Sequence, residues 1–358
     1  MTTPSAHTRQ HPFGRTADGR EVTCFTVQAA AGLRLEVLDY GAVVRALRVP
    51  DRDGEAADVV LGYDDLESYE RDPFYLGAVI GRSANRIRDA AFVLDGKTYQ
   101  LTANDGPHHL HGGARGFGKA VWRARGFRDA RRVGVVLEHA SPHGEEGYPG
   151  NLHVQVTYSI SDAGGLAVEY RATTDHPTPV NLTQHSYFNL AGEGAGDVLA
   201  HELTVDAGVF TPLDASHLPT GALAPVAGTP LDFRRPHRIG ARIRAHDAQL
   251  RMAGGYDHTF VLEGASGGMA CAARLFDPAS GRVLEVLTTE PGMQLYSGNF
   301  LDGSLPGKHG HRYGPCAGVC LETQHFPDAP NQPGFPSTIL RPGDELRSRT
   351  EFRFSTQP

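Results

Sequence analysis

Two-residue alternation, cut into short runs by glycine- and proline-bearing turns, most limits what this chain can fold into. From 152 to 160, Leu152, Val154, Val156, Tyr158 and Ile160 fall on one side, and His153, Gln155, Thr157 and Ser159 on the other. Successive side chains of a strand point to opposite faces, so this run has one apolar face and one polar face. Leu166, Val168 and Tyr170 repeat the pattern after Asp162-Ala163-Gly164-Gly165, which predicts a hairpin. Phe92 and Leu94, then Asp95-Gly96, then Tyr99 and Leu101 predict a second, and 271–289 a third, folded at Asp277-Pro278-Ala279-Ser280-Gly281. Arg341-Pro342-Gly343-Asp344 turns into a last strand with Phe352 and Phe354. Helical periodicity is confined to 62–71 and 236–246. Hairpin-length connections leave no room for crossover helices, so the sheets are antiparallel. The expected fold class is all-β, a large antiparallel β-sandwich. No repeat or linker divides it: residues 1–18 read as a polar leader expected to fray, and 19–358 as a single domain.

The charge balance disfavours several function classes. Lys and Arg number 34 against 41 Asp and Glu, a formal net charge of −7. The cations read as scattered, so neither nucleic acid nor a membrane surface is an expected partner. No apolar run approaches the ~20 residues of a spanning helix. Cys24, Cys271, Cys316 and Cys320 are too few and too irregular for a disulfide framework and read as buried or half-buried thiols. With no secretory pattern at Met1–His7, a cytoplasmic location is expected. Nothing in the sequence fixes the oligomeric state.

Five segments interrupt the alternation with polar groups a plain sandwich does not need. Gly81-Arg82-Ser83-Ala84-Asn85-Arg86-Ile87 sets a guanidinium beside an amide, a donor-rich pair suited to a hydroxylated ligand or to a surface turn. Gly106-Pro107-His108-His109-Leu110-His111-Gly112-Gly113 offers three imidazoles. In an extended chain His109 and His111 would share a face. Hydrogen bonding to an organic ligand, a structural loop and a metal site are the three readings, in that order. His185 lies in Asn181–Asn189 between turns, where it is either a buried structural imidazole or an acid–base group. Asp257 precedes the apolar run Thr259–Leu262 at a sheet end, as a turn cap or an acceptor of hydroxyl protons. In the fifth segment, Pro291–Phe300, which the Glu322 loop follows later, Gln294 lies on the strand face opposite Met293 and Leu295 and is a candidate to point into a cleft. Glu322 ends the run Gly318–Leu321 and opens a Pro-rich loop. A carboxylate and an imidazole that meet in a cleft, Glu322 and His185, can move two protons without metal or nucleotide.

Taken together, these segments resemble the aldose 1-epimerase (galactose mutarotase) family from about residue 20 to residue 356. The strings are GRSANRI at 81–87, LHGG at 110–113, HSYFNL at 185–190, YDHTFVL at 256–262, GNFLDG at 298–303 and LETQHFPDAPNQP at 321–333. The resemblance implies the β-sandwich of galactose mutarotase-like proteins (the supersandwich) and interconversion of the α- and β-anomers of free monosaccharides such as glucose and galactose. It implies Glu322 as general base and His185 as general acid. Arg86, His111 and Asp257 would grip the sugar, with Asn85, Tyr187 and Gln294 as further contacts. No cofactor and no metal are required. Gln184, where many relatives have Asn, and Glu290, where Gln is common, depart from the pattern; Glu290 is expected to alter the charge near Gln294. Three rivals stand beside this reading: a non-catalytic sugar-binding protein on the same fold, a hexose-6-phosphate epimerase using Arg82 and Arg86, and a metal enzyme using His108, His109 or His111.

Overall fold

The computed structural model describes residues 7–29, 32–161, 164–264 and 268–358. Every strand-to-strand ladder among them is antiparallel, and the parallel pairing present is an isolated bridge between Ser83 and Asn181. Nine strands form the largest sheet, in the order Arg123–Arg128, Arg132–Ser141, Leu152–Ser161, Gly165–Thr174, Leu346–Thr356, Arg282–Thr288, Ala270–Phe276, Glu202–Val205 and His237–Arg238. A six-stranded sheet runs Tyr187–Phe188, Val319–Gln324, Gly292–Tyr296, Asp257–Val261, Val209–Phe210 and Ala224–Pro225. The alternation of 152–160 appears as designed by period two: Leu152, Val154, Val156, Tyr158 and Ile160 are buried in the main core. The 152–161/165–174, 91–94/97–100 and 270–276/282–288 hairpins are present, although Asp162 and Ala163 of the first turn lie outside the described residues.

The six-stranded sheet lays Met293, Leu295, Val319, Leu321 and Phe260 into that core. Phe188 meets Phe352 of the large sheet with ring centroids 5.2 Å apart. Its other face carries Tyr187, Tyr296 and Cys320 into a second cluster with Leu61, Tyr63, Leu76 and Ile80. Alternation therefore puts Glu322, two residues past Cys320, on the face turned from the main core.

Three expectations need correction. Within the expected polar leader, His7–Arg15 is a strand paired with Glu21–Gln28, from His7 opposite Gln28 to Arg15 opposite Glu21. It is the edge of a five-stranded sheet, where polar side chains stand in solvent at no cost. Of the helix expected over 236–246, a single 3-10 turn forms at Ile239–Ala241, and the α-helix lies later, at Ala248–Ala253. Asp247 caps it by accepting from the backbone N–H of Gln249 and Leu250, and Gly254 closes it at φ 67°. The chain at Ile239 and Gly240 instead donates to the carbonyls of His201 and Leu199. The 62–71 helix is shorter, Leu66–Arg71, because Asp65 is its cap.

Candidate active site

Strand register assembles the floor of a cavity. Gln294 pairs with Glu322 on one side and Thr259 on the other, while Tyr296 pairs with Cys320 and Asp257, and Tyr187 pairs with Cys320. Glu322 thus lies within the strand Val319–Gln324 and not at the mouth of a loop, correcting the sequence reading. His185 arrives from the turn between Thr183–Gln184 and Tyr187–Phe188, where its N–H donates to Ala78 O and its carbonyl accepts from Gly77 N. Its Nε2 lies 3.6 Å from Glu322 Oε2.

The opposite wall comes from two loops that clasp each other. Asn85 N donates to His111 Nδ1 at 3.2 Å, and His111 N donates back to Asn85 O at 3.1 Å. Both residues take the left-handed conformation, at φ 60° and 51°. Gly112 makes this approach possible, since a Cβ there would stand 1.8 Å from Gly81 O. Arg86 reaches over from the bridge opposite Leu110 and donates to Asp105 Oδ2 at 2.7 Å.

Together with Pro73, Phe74, Tyr75, Leu110, Tyr296 and Phe300, the residues Asn85, Arg86, His111, His185, Tyr187, Asp257 and Glu322 line one cavity of about 190 Å³. The imidazoles of His111 and His185 meet edge to face at 5.3 Å, and His185 stacks on Tyr187 at 5.1 Å. Seven of the eight candidate residues line it. Gln294 lies beneath, with its Nε2 donating to Asp257 Oδ1 at 2.6 Å. A larger groove of about 600 Å³ crosses the nine-stranded sheet between Arg123, Glu138, His153, Arg171 and Glu345, but its charged side chains stand in solvent. Tyr75, Phe74 and Phe300 were missed by sequence reasoning: aromatics in loops carry no periodic signal. Cys320, whose Sγ is 3.6 Å from His185 Nδ1, was legible as the residue two before Glu322 on the same strand face.

Burial sets the electrostatics. It pushes the Glu322 carboxyl well above its ordinary 4.5, with the Asp257 charge adding to the shift. It pulls His185 down to about 4, and His111 well below 6.5, where the neighbouring His185 and Arg86 contribute. Glu322 Oε2 is buried without a hydrogen-bond donor. Both shifts favour the pair's proton on Glu322 and a neutral imidazole.

Other sequence candidates are committed to the fold. Arg82 is buried and donates to Ser141 Oγ, Ser141 O, Pro142 O and Pro149 O. His108 Nδ1 accepts from Asp89 N, and His109 bonds Thr102 O and the Tyr148 hydroxyl at 2.7 Å each. His109 and His111 do not share a face, because the chain leaves extended geometry at His111. Glu290 pairs with His325 Nδ1 at 2.7 Å. Gln184 bridges Gly77 O and Ser186 N. His111, His185 and Glu322 place ligand-type atoms within 4.8 Å of one another, a donor set a metal could use. One imidazole does not fit that use. Its Nδ1 is occupied by the Asn85 N–H, which leaves the ring proton on Nε2, so neither nitrogen of His111 has a free lone pair.

Fold and cavity define a class: an antiparallel β-sandwich with a carboxylate–imidazole pair in a small cavity lined by polar and aromatic side chains. A family profile described as Aldose 1-epimerase matches residues 23–353. The galactose mutarotase of Homo sapiens is 50% identical over 323 residues, covering 90% of this chain and 91% of that protein. The aldose 1-epimerase of Escherichia coli K12 is 39% identical over 339 residues, covering 94% and 96%. Among solved structures, the galactose 1-epimerase of Lactobacillus acidophilus superposes with a TM-score of 0.87 at 28% identity, covering 99% of this chain and all of that one. The chain belongs to the aldose 1-epimerase family, and it is an isomerase.

Proposed function

We propose that this protein interconverts the α- and β-anomers of free aldoses such as glucose and galactose, with Glu322 and His185 as its proton-transfer pair. Glu322 takes the proton of the C1 hydroxyl while His185 gives one to the ring oxygen. The bond between C1 and the ring oxygen breaks, and the open aldehyde forms. Rotation about C1–C2 presents the other carbonyl face, and closure returns both protons. Asn85, Arg86, His111, Tyr187 and Asp257 hold the ring in place, a positioning contribution separate from proton transfer.

The 3.6 Å approach of His185 Nε2 to Glu322 Oε2, in a cavity that leaves that oxygen without a donor, carries this reading. Ring opening moves one proton onto Glu322 and removes one from His185. That is the placement burial already favours, so the protein half of the open-chain stage is the electrostatically easy one. A protein that only bound sugar would have no use for two such groups. Polarimetry on fresh α-galactose and α-glucose tests the assignment. Glu322→Gln and His185→Asn should each lower the catalysed rate by ~10²-fold or more, the lower end of what a placed proton-transfer group contributes. Near-normal rates in either variant would remove that residue from the mechanism.

A further inference from the structure

We infer that Thr259, which touches no surface of the cavity, is a positioning residue that sets sugar affinity through Gln294 and Asp257. The inference rests on the sugar-isomerase reading above and names a residue that reading does not use. Thr259, Gln294 and Glu322 stand side by side on three adjacent strands, and Asp257 lies two residues before Thr259 on the same face. The Thr259 hydroxyl donates to Gln294 Oε1, and Gln294 Nε2 donates to Asp257 Oδ1 at 2.6 Å. All three side chains are buried, but of the three only Asp257 lines the cavity.

The direction of this chain follows from the donor inventory. An amide has one accepting and one donating end, and a carboxylate can only accept when ionised. Gln294 must therefore turn its NH2 toward Asp257, and that leaves Oε1 buried on the far side. The Thr259 hydroxyl is what satisfies it. Without the hydroxyl, a buried carbonyl oxygen has no donor, and the amide gains by turning or shifting away from Asp257. Asp257 would then lose the bond that pins Oδ1 and leaves Oδ2 for the ligand. Sugar binding weakens, while the Glu322–His185 pair is untouched.

The test is polarimetric kinetics on galactose with Thr259→Val, which keeps the shape and removes the hydroxyl, and Thr259→Ser, which restores it. Losing one such hydrogen bond predicts a KM about fivefold higher for the valine variant, with kcat within about twofold of the parent. Serine should return KM to the parent value. In an Asp257→Ala background, which removes the acceptor of the Gln294 amide, Thr259→Val should add no further loss, because its route to the sugar is already cut. Thr259→Ala serves the same comparison if valine unfolds the protein. An unchanged KM in the valine or alanine variant, a serine variant as weak as valine, or a full additional loss on Asp257→Ala would each overturn the inference. A parent protein that does not change the decay of optical rotation would overturn the isomerase reading itself, and with it this one.

Discussion

His185 and Glu322 lie 137 positions apart in sequence and 3.6 Å apart in space, with both side chains buried and their proton affinities displaced in opposite directions. The usual order, carboxylate ionised before imidazole, is reversed. The ring-opening form, Glu322 ionised and His185 charged, is then a minor arrangement of the singly protonated pair. A pair so close titrates as a unit. Its rate profile should be a bell whose acid limb belongs to second protonation at His185, near pH 4, and whose basic limb belongs to loss of the Glu322 proton, well above 4.5. Polarimetric kcat/KM across pH in the parent, and in a His185→Asn variant with measurable residual rate, checks this. An acid limb that survives the asparagine substitution unchanged would reassign it.

Stability should respond to the same burial. The folded-state pKa of Glu322 is raised, so folding is least penalised below the unfolded value and loses stability as pH rises toward the folded value. Glutamine cannot ionise in either state. Glu322→Gln is therefore expected to unfold at the same temperature as the parent near pH 4 and at a higher one from pH 6 upward. Thermal melts at both pH values read this directly. The variant would be more stable and inactive, the trade expected where function keeps an ionisable group buried.

Much of this fold was legible because alternation is a local signal. The 152–160 run and its hairpin need only their own residues to be read, and period two also put Gln294 on the face away from Met293 and Leu295. What alternation cannot give is what lies above each side chain. Arg82 and Arg86 sit four residues apart in one segment, yet Arg82 is consumed by carbonyls near Ser141 and Pro149 while Arg86 reaches the cavity. Gln294 faces the correct side but stops beneath Asp257. The reversed proton order was likewise invisible, since it comes from burial by segments distant in the chain.

Gly112 is a sensitive point for the His111 wall. Its φ is 85°, and a Cβ would stand 1.8 Å from Gly81 O, so alanine must push the two loops apart. Gly112→Ala should cost more than ~1 kcal/mol of folding stability, the scale for a side chain forced into a conformation it disfavours. Urea unfolding gives that figure. Because the shift breaks the Asn85–His111 clasp, KM for galactose should rise more than kcat falls. A variant with parental stability and parental KM would show that the loops are free to separate.

Phosphorylated sugars provide the sharpest discrimination among substrates. A phosphate dianion needs several fixed cations around it. Arg82, the second guanidinium suggested by the sequence, has its donors spent on Ser141, Pro142 and Pro149. Arg86 remains as the arginine lining the cavity, and Asp105 already takes its Nε at 2.7 Å. Asp257 lines the same space and, when ionised, repels an added negative charge, and the neutral His185 beside it offers no positive charge to offset this. Glucose 6-phosphate should therefore be turned over with a kcat/KM at least ~10-fold below that of glucose, equivalent to the loss of about 1.4 kcal/mol of transition-state binding. Raising ionic strength should narrow the gap, because screening weakens the repulsion. Equal turnover of the two sugars at low salt would return the phosphate reading to first place.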